Sequence, residues 1–279
     1  MSITAVGPAL DLDGPLPVAP EYSLLDIPGV RRDGDGRWEN GVNVYGYPDE
    51  VPQLWEPCAT GTFRTKADGD GEPQARFDSV GLYLPITCSA LSMGDWREFA
   101  ARAQKVLDAT LSYGVEKALS QGVVGSGNPF LGDAGVTKLA GGAAINDPGT
   151  SLAYLEEAIG ATGRQGLIHA TPGVLTFWAS ESLLQKEGET LYTWAGTPVA
   201  VGGGYIGGKA NGTTAAAGTS WAYASGPVQV RVSDTTLVGD DINGTLDTSN
   251  NDVTFRAEKF VLAEWDTALQ SAVLVDWTP

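Results

Sequence analysis

The longest periodic stretch of the chain is DWREFAARAQKVLDATLSYGVEKALSQG, residues 95–122. In it Leu107, Leu111, Val115 and Leu119 recur every fourth position, with Phe99, Ala103 and Val106 beside them. One apolar stripe of that period predicts an amphipathic helix, a rod of about 25 residues and roughly 38 Å. Asp95 is a good N-cap residue, Glu98 completes a capping box, and Gly122 offers a stop. Glu98 and Arg102 make a favourable pair on the wet side, while Gly114 weakens the middle. Elsewhere the periods are shorter. SLAYLEEAIGA and TPGVLTFWASESLLQKEG predict two further helices, the second with Thr171 as N-cap and Pro172 at its first position. GLIHA between them reads as a buried strand, and LYTWAG and TPVAV as further strands, so residues 150–201 form an α/β unit. Residues 202–219, rich in Gly, Ala and Thr, read as an exposed loop. The last quarter is strand again: SWAYAS, PVQVRVS, a polar insertion over 233–252, then DVTFRAEKFVLAEWD and ALQSAVLVDW. Val253, Phe255 and Ala257 alternate with Thr254, Arg256 and Glu258, the period of a half-buried strand.

Ahead of the rod the chain is punctuated rather than periodic. Residues 1–57 hold eight of the sixteen prolines, which keeps the stretch extended and outside a regular sheet interior. It also carries Tyr22, Leu24, Leu25, Trp38, Tyr45, Tyr47 and Trp55, too many apolar anchors for a solvated tail, and so predicts an arm lying along its own or a neighbouring subunit. CATGTFRTK and ARFDSVGLYLPITC, around the turn-rich ADGDGEPQ, read as a long hairpin. Centring it near Pro73 places Phe63 opposite Tyr83 and Cys58 opposite Cys88.

Composition narrows the function. The chain has 279 residues, enough for one large or two modest domains, with 37 glycines, 17 basic and 34 acidic residues and a net charge of -17. No cluster of Lys and Arg is present to bind a phosphate backbone, which argues against sequence-specific nucleic-acid binding. The opening MSITAVGPALDLDGP has neither the basic flank nor the apolar core of a signal peptide, and no run approaches the roughly 18 apolar residues of a membrane span. A protein acting in solution in a cytoplasm is expected, with both cysteines reduced.

Candidate chemistry is thin. The one histidine, His169, sits inside GLIHA with no Ser, Asp or Cys motif around it, and reads as a satisfied core residue. Gly202, Gly204 and Gly207 in VAVGGGYIGG have G-x-G-x-x-G spacing after a strand. The KANGTTAAAGT that follows is a poor helix start, and no acidic residue lies about 20 positions on, so a nucleotide site is disfavoured against a loop tip. GDDINGTLDTSN, aligned as a calcium loop on Gly244, has Gly239 and Asn250 where carboxylates are required. The two DGDG copies, at 33–36 and 68–71, read as turns. No enzyme, cofactor or metal is expected. An extended arm, a projecting hairpin, a long rod and a closing sheet bury little alone and make sense when neighbouring copies cover them.

That order of elements resembles the major capsid protein of tailed bacteriophages of the Hong Kong 97 type, an α+β fold also used by encapsulin shells. FDSVGLYLPITC, YLEEAIGATGRQGLIHA and RAEKFVLAEWDTALQSAVLVDW look like actinobacteriophage capsid sequences in particular. The resemblance implies an N-terminal arm (1–57), an E-loop hairpin (58–90), a peripheral domain with the spine helix (91–144), an axial domain (145–235) and peripheral closing strands (236–279). It implies a structural protein that assembles as pentamers and hexamers of itself into an icosahedral shell around double-stranded DNA. The arm and hairpin would clamp adjacent subunits, which makes Trp38, Trp55, Phe63, Arg64, Lys66, Arg76 and Phe77 the expected inter-subunit contacts. The rod would be the rigid edge along which subunits lie. Some relatives crosslink an E-loop lysine, and Lys66 is the one hairpin lysine, without a motif to match. No helical, charged scaffolding segment precedes the arm, so scaffolding would be a separate protein, absent, or already outside this chain, and portal and decoration proteins would be separate chains. The expected place is the virion, after assembly in the host cytoplasm. The alternatives are an encapsulin-like nanocompartment, a β-rich tail or adhesin component, and a small-molecule enzyme using the 202–207 glycine loop.

Overall fold

The computed structural model describes residues 15, 17–32, 37–45, 75–89, 96–238, 246–247 and 249–278. Strands β1 (Arg31–Arg32), β2 (Val42–Val44), β3 (Ala75–Phe77) and β4 (Val80–Ser89) precede helix α1 (Trp96–Gln121). The rod is therefore present at its expected length, and Ala103, Leu107, Leu111, Val115 and Leu119 are its buried stripe. Gly122 ends it at φ +73° with its N–H on the Ala118 carbonyl at 3.0 Å, a left-handed close that a side chain would strain. Asp95 and the Glu98 side chain lie outside the described residues. Gly114 has a packing reason: a Cβ there would come within 2.8 Å of Leu82 Cδ1, so the glycine seats that leucine against the helix.

A crossing segment leads to β5 (Thr137–Lys138), β6 (Ala144–Ile145), α2 (Pro148–Ala161), β7 (Leu167–Ala170), α3 (Pro172–Ser180), β8 (Leu184–Glu187), β9 (Thr190–Thr193) and β10 (Pro198–Val201). Asp147 caps α2, its Oδ1 accepting from the Thr150 N–H at 2.6 Å, and Thr171 with Pro172 opens α3 as the sequence predicts. One helix boundary needs correction. α3 stops at Ser180, not at Gly188, because Ser182 (φ +56°) turns the chain out of the helix. LQKE and TLYT then close a hairpin over Gly188 (φ +63°), with Leu184 opposite Thr193 and Glu187 opposite Thr190.

The remainder is β11 (Lys209–Ala210), β12 (Thr213–Thr214), β13 (Thr219–Ser225), β14 (Val228–Val232), β15 (Thr236–Val238), β16 (Leu246–Asp247), β17 (Asp252–Trp265) and β18 (Gln270–Asp276). Among the described residues two large sheets carry the fold. One, of eight strands, runs β5-β18-β13-β7-β10-β9-β8 with β6 also on β18. Its core joins Leu152, Leu155 and Ile159 of α2 and Val174 and Trp178 of α3 to Ile168, Val199 and Val273. The other, of six strands, runs β1-β14-β17-β15, with β4 and β16 also pairing along β17. Here Ala103 and Leu107 of α1 pack on Leu82, Leu84, Ile86 and Ala257. The two long closing strands thus part company: β17 belongs to the six-stranded sheet and β18 to the eight-stranded one, beside β13.

Of the leading segment, the described residues between 21 and 45 pack against their own chain. Leu24, Ile27, Val30 and Trp38 are buried in one cluster with Leu111, Val115 and Leu119 of α1. β1 pairs in parallel with β14 at the edge of the six-stranded sheet and β2 pairs with β3; the paired residues, 31–32 and 42–44, contain none of the stretch's prolines, which stay outside the ladders. β4 pairs antiparallel with β17 over its whole length, from Val80 opposite Val261 to Ser89 opposite Asp252. Its expected hairpin partner, residues 58–66, lies outside the described residues, as do both DGDG turns and Cys58.

Candidate assembly surface

Alternation along β4 splits its side chains between two environments. Leu82, Leu84 and Ile86 face α1, so Gly81, Tyr83, Pro85 and Thr87 face outward. The register sets Phe260 beside Gly81, Glu258 beside Tyr83, Arg256 beside Pro85 and Thr254 beside Thr87. β15 extends the same face with Thr236 opposite Glu258 and Val238 opposite Arg256. The Arg256 guanidinium lies 5.4 Å from the centre of the Tyr83 ring and 3.2 Å from Glu258 Oε1, while the Thr87 and Thr254 hydroxyls meet at 2.9 Å. Tyr83 is 64 % exposed, Phe260 47 % and Val238 41 %. The result is an outward strand face with aromatic rings open to water around an ion pair. Among the described residues it has no nucleophile beside a base, and its exposed rings make it a candidate docking surface.

A second constellation lies on the other side of α1. Ser112, Glu116 and Ser120 form a buried polar stripe at four-residue spacing beside the apolar one. Ser112 Oγ donates to Ser23 Oγ at 3.0 Å and Ser120 Oγ to the Gly204 carbonyl at 3.2 Å. Between them Glu116, 1 % exposed, accepts from two backbone N–H groups: Leu24 at 3.2 Å on Oε1 and Gly204 at 3.3 Å on Oε2. Burial pushes its pKa up to about 7, against the opposing pull of those two amides, and the charge of Asp26 adds to the rise.

This geometry corrects the reading of residues 202–219 as an exposed loop for residues 202–205 only; Ile206, Gly207, Lys209, residues 211–214 and residues 216–217 are exposed, as expected. Gly202 and Gly204 are buried because the segment runs against α1 at backbone contact. A Cβ at Gly202 would collide with the Glu116 carboxylate, and one at Gly204 would fall 2.5 Å from the Tyr113 carbonyl oxygen. Lack of side-chain bulk here serves close approach, not flexibility. It also bears against a nucleotide on these glycines, since helix backbone and a carboxylate fill the space a phosphate would need.

His169 is a buried core residue, as expected from the sequence. Its Nδ1 is 3.0 Å from the Tyr205 hydroxyl and its Nε2 2.8 Å from Ser225 Oγ, and burial drops its pKa to about 3. Of the expected inter-subunit residues, Trp38 and Phe77 are buried within their own chain, so neither side chain is free to meet a neighbour in this conformation. Arg76 is exposed, bonded to Asp78 at 2.9 Å and to the Asn40 carbonyl at 3.3 Å. Trp55, Phe63, Arg64 and Lys66 lie outside the described residues. Sequence reasoning missed Tyr83, Arg256 and Phe260, although alternation through GLYLPIT separates an outward set that itself carries a ring. It missed Glu116 as well, whose signal is the spacing of Ser112, Glu116 and Ser120. Among the described residues no group of three His, Cys, Asp or Glu is placed to hold a metal ion.

The chain matches a chain of Mycobacterium phage Che8 with a TM-score of 0.54 at 12% identity, covering 99% of each. It matches a chain of Microbacterium phage Oxtober96 with a TM-score of 0.54 at 10% identity, covering 97% of this chain and 96% of that one. A chain from the capsid of an empty GTA particle gives a TM-score of 0.54 at 14% identity, covering 98% and 96%. No protein-family model and no curated protein matches the sequence. At these identities the likeness is one of fold. The chain has the α+β Hong Kong 97-type capsid fold, matched end to end rather than over a single domain.

Proposed function

We propose that this chain is the major capsid subunit of a tailed bacteriophage, assembling with copies of itself into a closed icosahedral shell around double-stranded DNA. The observation that carries the reading is the end-to-end match, 98% against 96%, to a chain from the capsid of a GTA particle. The open face of Tyr83, Phe260 and Val238 gives it a surface to work with, because rings exposed on an outward strand face contribute little to the folding of the chain that bears them. The net charge of -17 suits a container whose DNA must enter and leave without adhering. The role is structural and not enzymatic: His169 is sealed in the core, and Gly202 and Gly204 of the glycine loop are packed on a helix. Pentamers and hexamers are the units, the virion is the place, assembly precedes DNA entry in the host cytoplasm, and scaffolding and portal functions come from separate chains. The arm, E-loop and spine keep the limits that the resemblance implies, while Gln270–Asp276 goes with the axial sheet it pairs into.

The test is sedimentation and negative-stain imaging of the purified chain, alone and with the scaffold and portal genes of its own locus. Closed shells of uniform diameter are expected. A species of 29.1 kDa and nothing larger in either arm would overturn the proposal, and trimers or rings would favour a tail or adhesin component. Shells that capture a protein cargo encoded beside them, with no terminase or portal gene nearby, would move the reading to a cellular nanocompartment.

A further inference from the structure

We propose that residues 21–30 form a proton-linked strap, clasped to helix α1 through Glu116, that lets go of the body more readily as pH rises. The strap is a short run with its own fastenings. Ser23 and Asp26 make a local capping box, with the Ser23 N–H and Oγ donating to Asp26 Oδ2 at 2.9 and 2.7 Å. Leu24, Ile27 and Val30 insert into the main core. Its backbone is bonded to three separate places: the Leu24 N–H to Glu116, the Tyr22 carbonyl to the Val201 N–H at 2.8 Å, and the Val30 carbonyl to the Val230 N–H at 2.7 Å. Glu116 is the clasp because one carboxylate holds both the strap and the glycine segment, which are 92 and 88 residues away in sequence.

The direction follows from what surrounds that carboxylate. From the strap, Asp26 opposes its charge. From the glycine segment, Tyr205 is held neutral by burial, its pKa well above the usual tyrosine value, and His169 behind it is neutral above about pH 3. On α1 itself, Lys117 turns outward, 6.0 Å from the Tyr113 ring. On the strap's outer side Lys186 reaches Glu21 at 3.6 Å and lies 4.8 Å from the Tyr22 ring. No cation is bonded to Glu116 among the described residues, and its only compensation is two amide hydrogen bonds. With the strap closed the group binds its proton more tightly, at about 7, than at the ordinary glutamate value of 4.5 it regains once water reaches it. Opening therefore takes place with proton loss and becomes more favourable with rising pH, by about 70-fold between pH 5 and pH 8. An open strap bares an apolar seat on α1 formed around Leu111 and Val115.

The test is hydrogen exchange of the full chain from pH 5 to pH 8, corrected for the intrinsic base-catalysed rate. Peptides covering 22–30 report the strap and peptides covering 219–225 report the sheet core. Strap protection is expected to fall by more than tenfold relative to the core as pH rises, and Glu116→Gln is expected to flatten that dependence. Strap protection that stays level, or falls in step with the core, overturns the proposal, as does a pH dependence surviving in Glu116→Gln. Should that variant fail to fold, Asp26→Asn removes the opposing charge and is expected to move the midpoint of the strap profile to lower pH; an unmoved midpoint counts against the clasp. Opening is a property of one chain, so its failure leaves the shell reading untouched.

Discussion

Replacing Gly204 by alanine isolates the close approach of the glycine segment to α1. The added Cβ would stand 2.5 Å from the Tyr113 carbonyl oxygen, 2.6 Å from Glu116 Cβ and 2.7 Å from the Lys117 nitrogen. Two of these are helix backbone and cannot rotate aside, so the segment itself must back away. Overpacking where side chains can adjust costs about 1–3 kcal/mol. Retreat of Gly204 also weakens its N–H bond to Glu116 and the bonds its carbonyl accepts from Ser120 and Gln121, at 3.2 and 3.3 Å. A loss of about 3 kcal/mol or more is expected, since each such bond carries about 1 kcal/mol. For a chain of this size that lowers the melting temperature by roughly 6–12 °C. The control is the adjacent residue: a Cβ on Gly203 meets only Tyr113 Cδ2 at 3.4 Å, an ordinary contact. Gly203→Ala should stay within about 0.5 kcal/mol of the parent. Differential scanning fluorimetry of the two variants decides the matter. If they melt within about 1 °C of each other, the glycines serve chain flexibility and the backbone-contact argument is wrong.

Other outcomes follow from the same geometry. His169 has its pKa depressed from 6.5 to about 3 by burial, so its stability contribution is present above pH 6.5 and lost as pH falls towards 3, whereas Glu116, raised from 4.5 to about 7, contributes in the opposite sense between those values. On acidification from pH 6.5 to pH 4, thermal unfolding of the parent should therefore lose about 3 kcal/mol relative to His169→Gln. Gln270 Nε2 donates to the Phe130 and Leu131 carbonyls and to Asp133 Oδ1, at 2.9, 3.3 and 2.7 Å, so Gln270→Ala should cost about 1–3 kcal/mol in urea unfolding by freeing the crossing segment. Tyr83→Ser with Phe260→Ser should leave the melting temperature of the isolated subunit within about 2 °C while lowering the yield of sedimenting shells; a destabilised subunit with undiminished assembly would refute the outer face as a contact.

What can be read from the sequence is local. The four-residue spacing of Leu107, Leu111, Val115 and Leu119 defines α1 without reference to anything else, and the alternation from Val253 to Glu258 defines half of β17. Thr171-Pro172 marks the start of α3 because cap chemistry is contained in neighbouring residues. Its end is hidden, since LLQKE is compatible with helix and becomes strand only through pairing with residues 190–193. The start of the glycine segment, residues 202–205, misleads because missing bulk has two causes, exposure and backbone contact, and only the partner distinguishes them. That partner, the Ser112, Glu116 and Ser120 stripe, is in the sequence at the right spacing, but nothing local says which distant segment it faces. The division of β17 and β18 between two sheets is likewise decided by long-range register.

The helix also bears on why apolar rings are left on the far face of the six-stranded sheet. One side of α1 packs on Leu82, Leu84 and Ile86 and so satisfies the inner face of β4. A second side, the buried polar stripe, holds the strap and the glycine segment. The rod is thus an internal tie between elements of one chain as much as the edge the resemblance implies, and only Ala101, Lys105, Asp108, Thr110, Tyr113 and Lys117 among its described residues remain on a wet side with Arg102. Because that tie already completes the inner layer, the outward residues of the sheet are under no folding constraint to be apolar. Tyr83, Pro85, Val238 and Phe260 nonetheless stand there, around the Arg256 and Glu258 pair that fixes their orientation. Under the proposed shell assembly their explanation lies on a partner surface that covers rings and tolerates one ion pair at their centre.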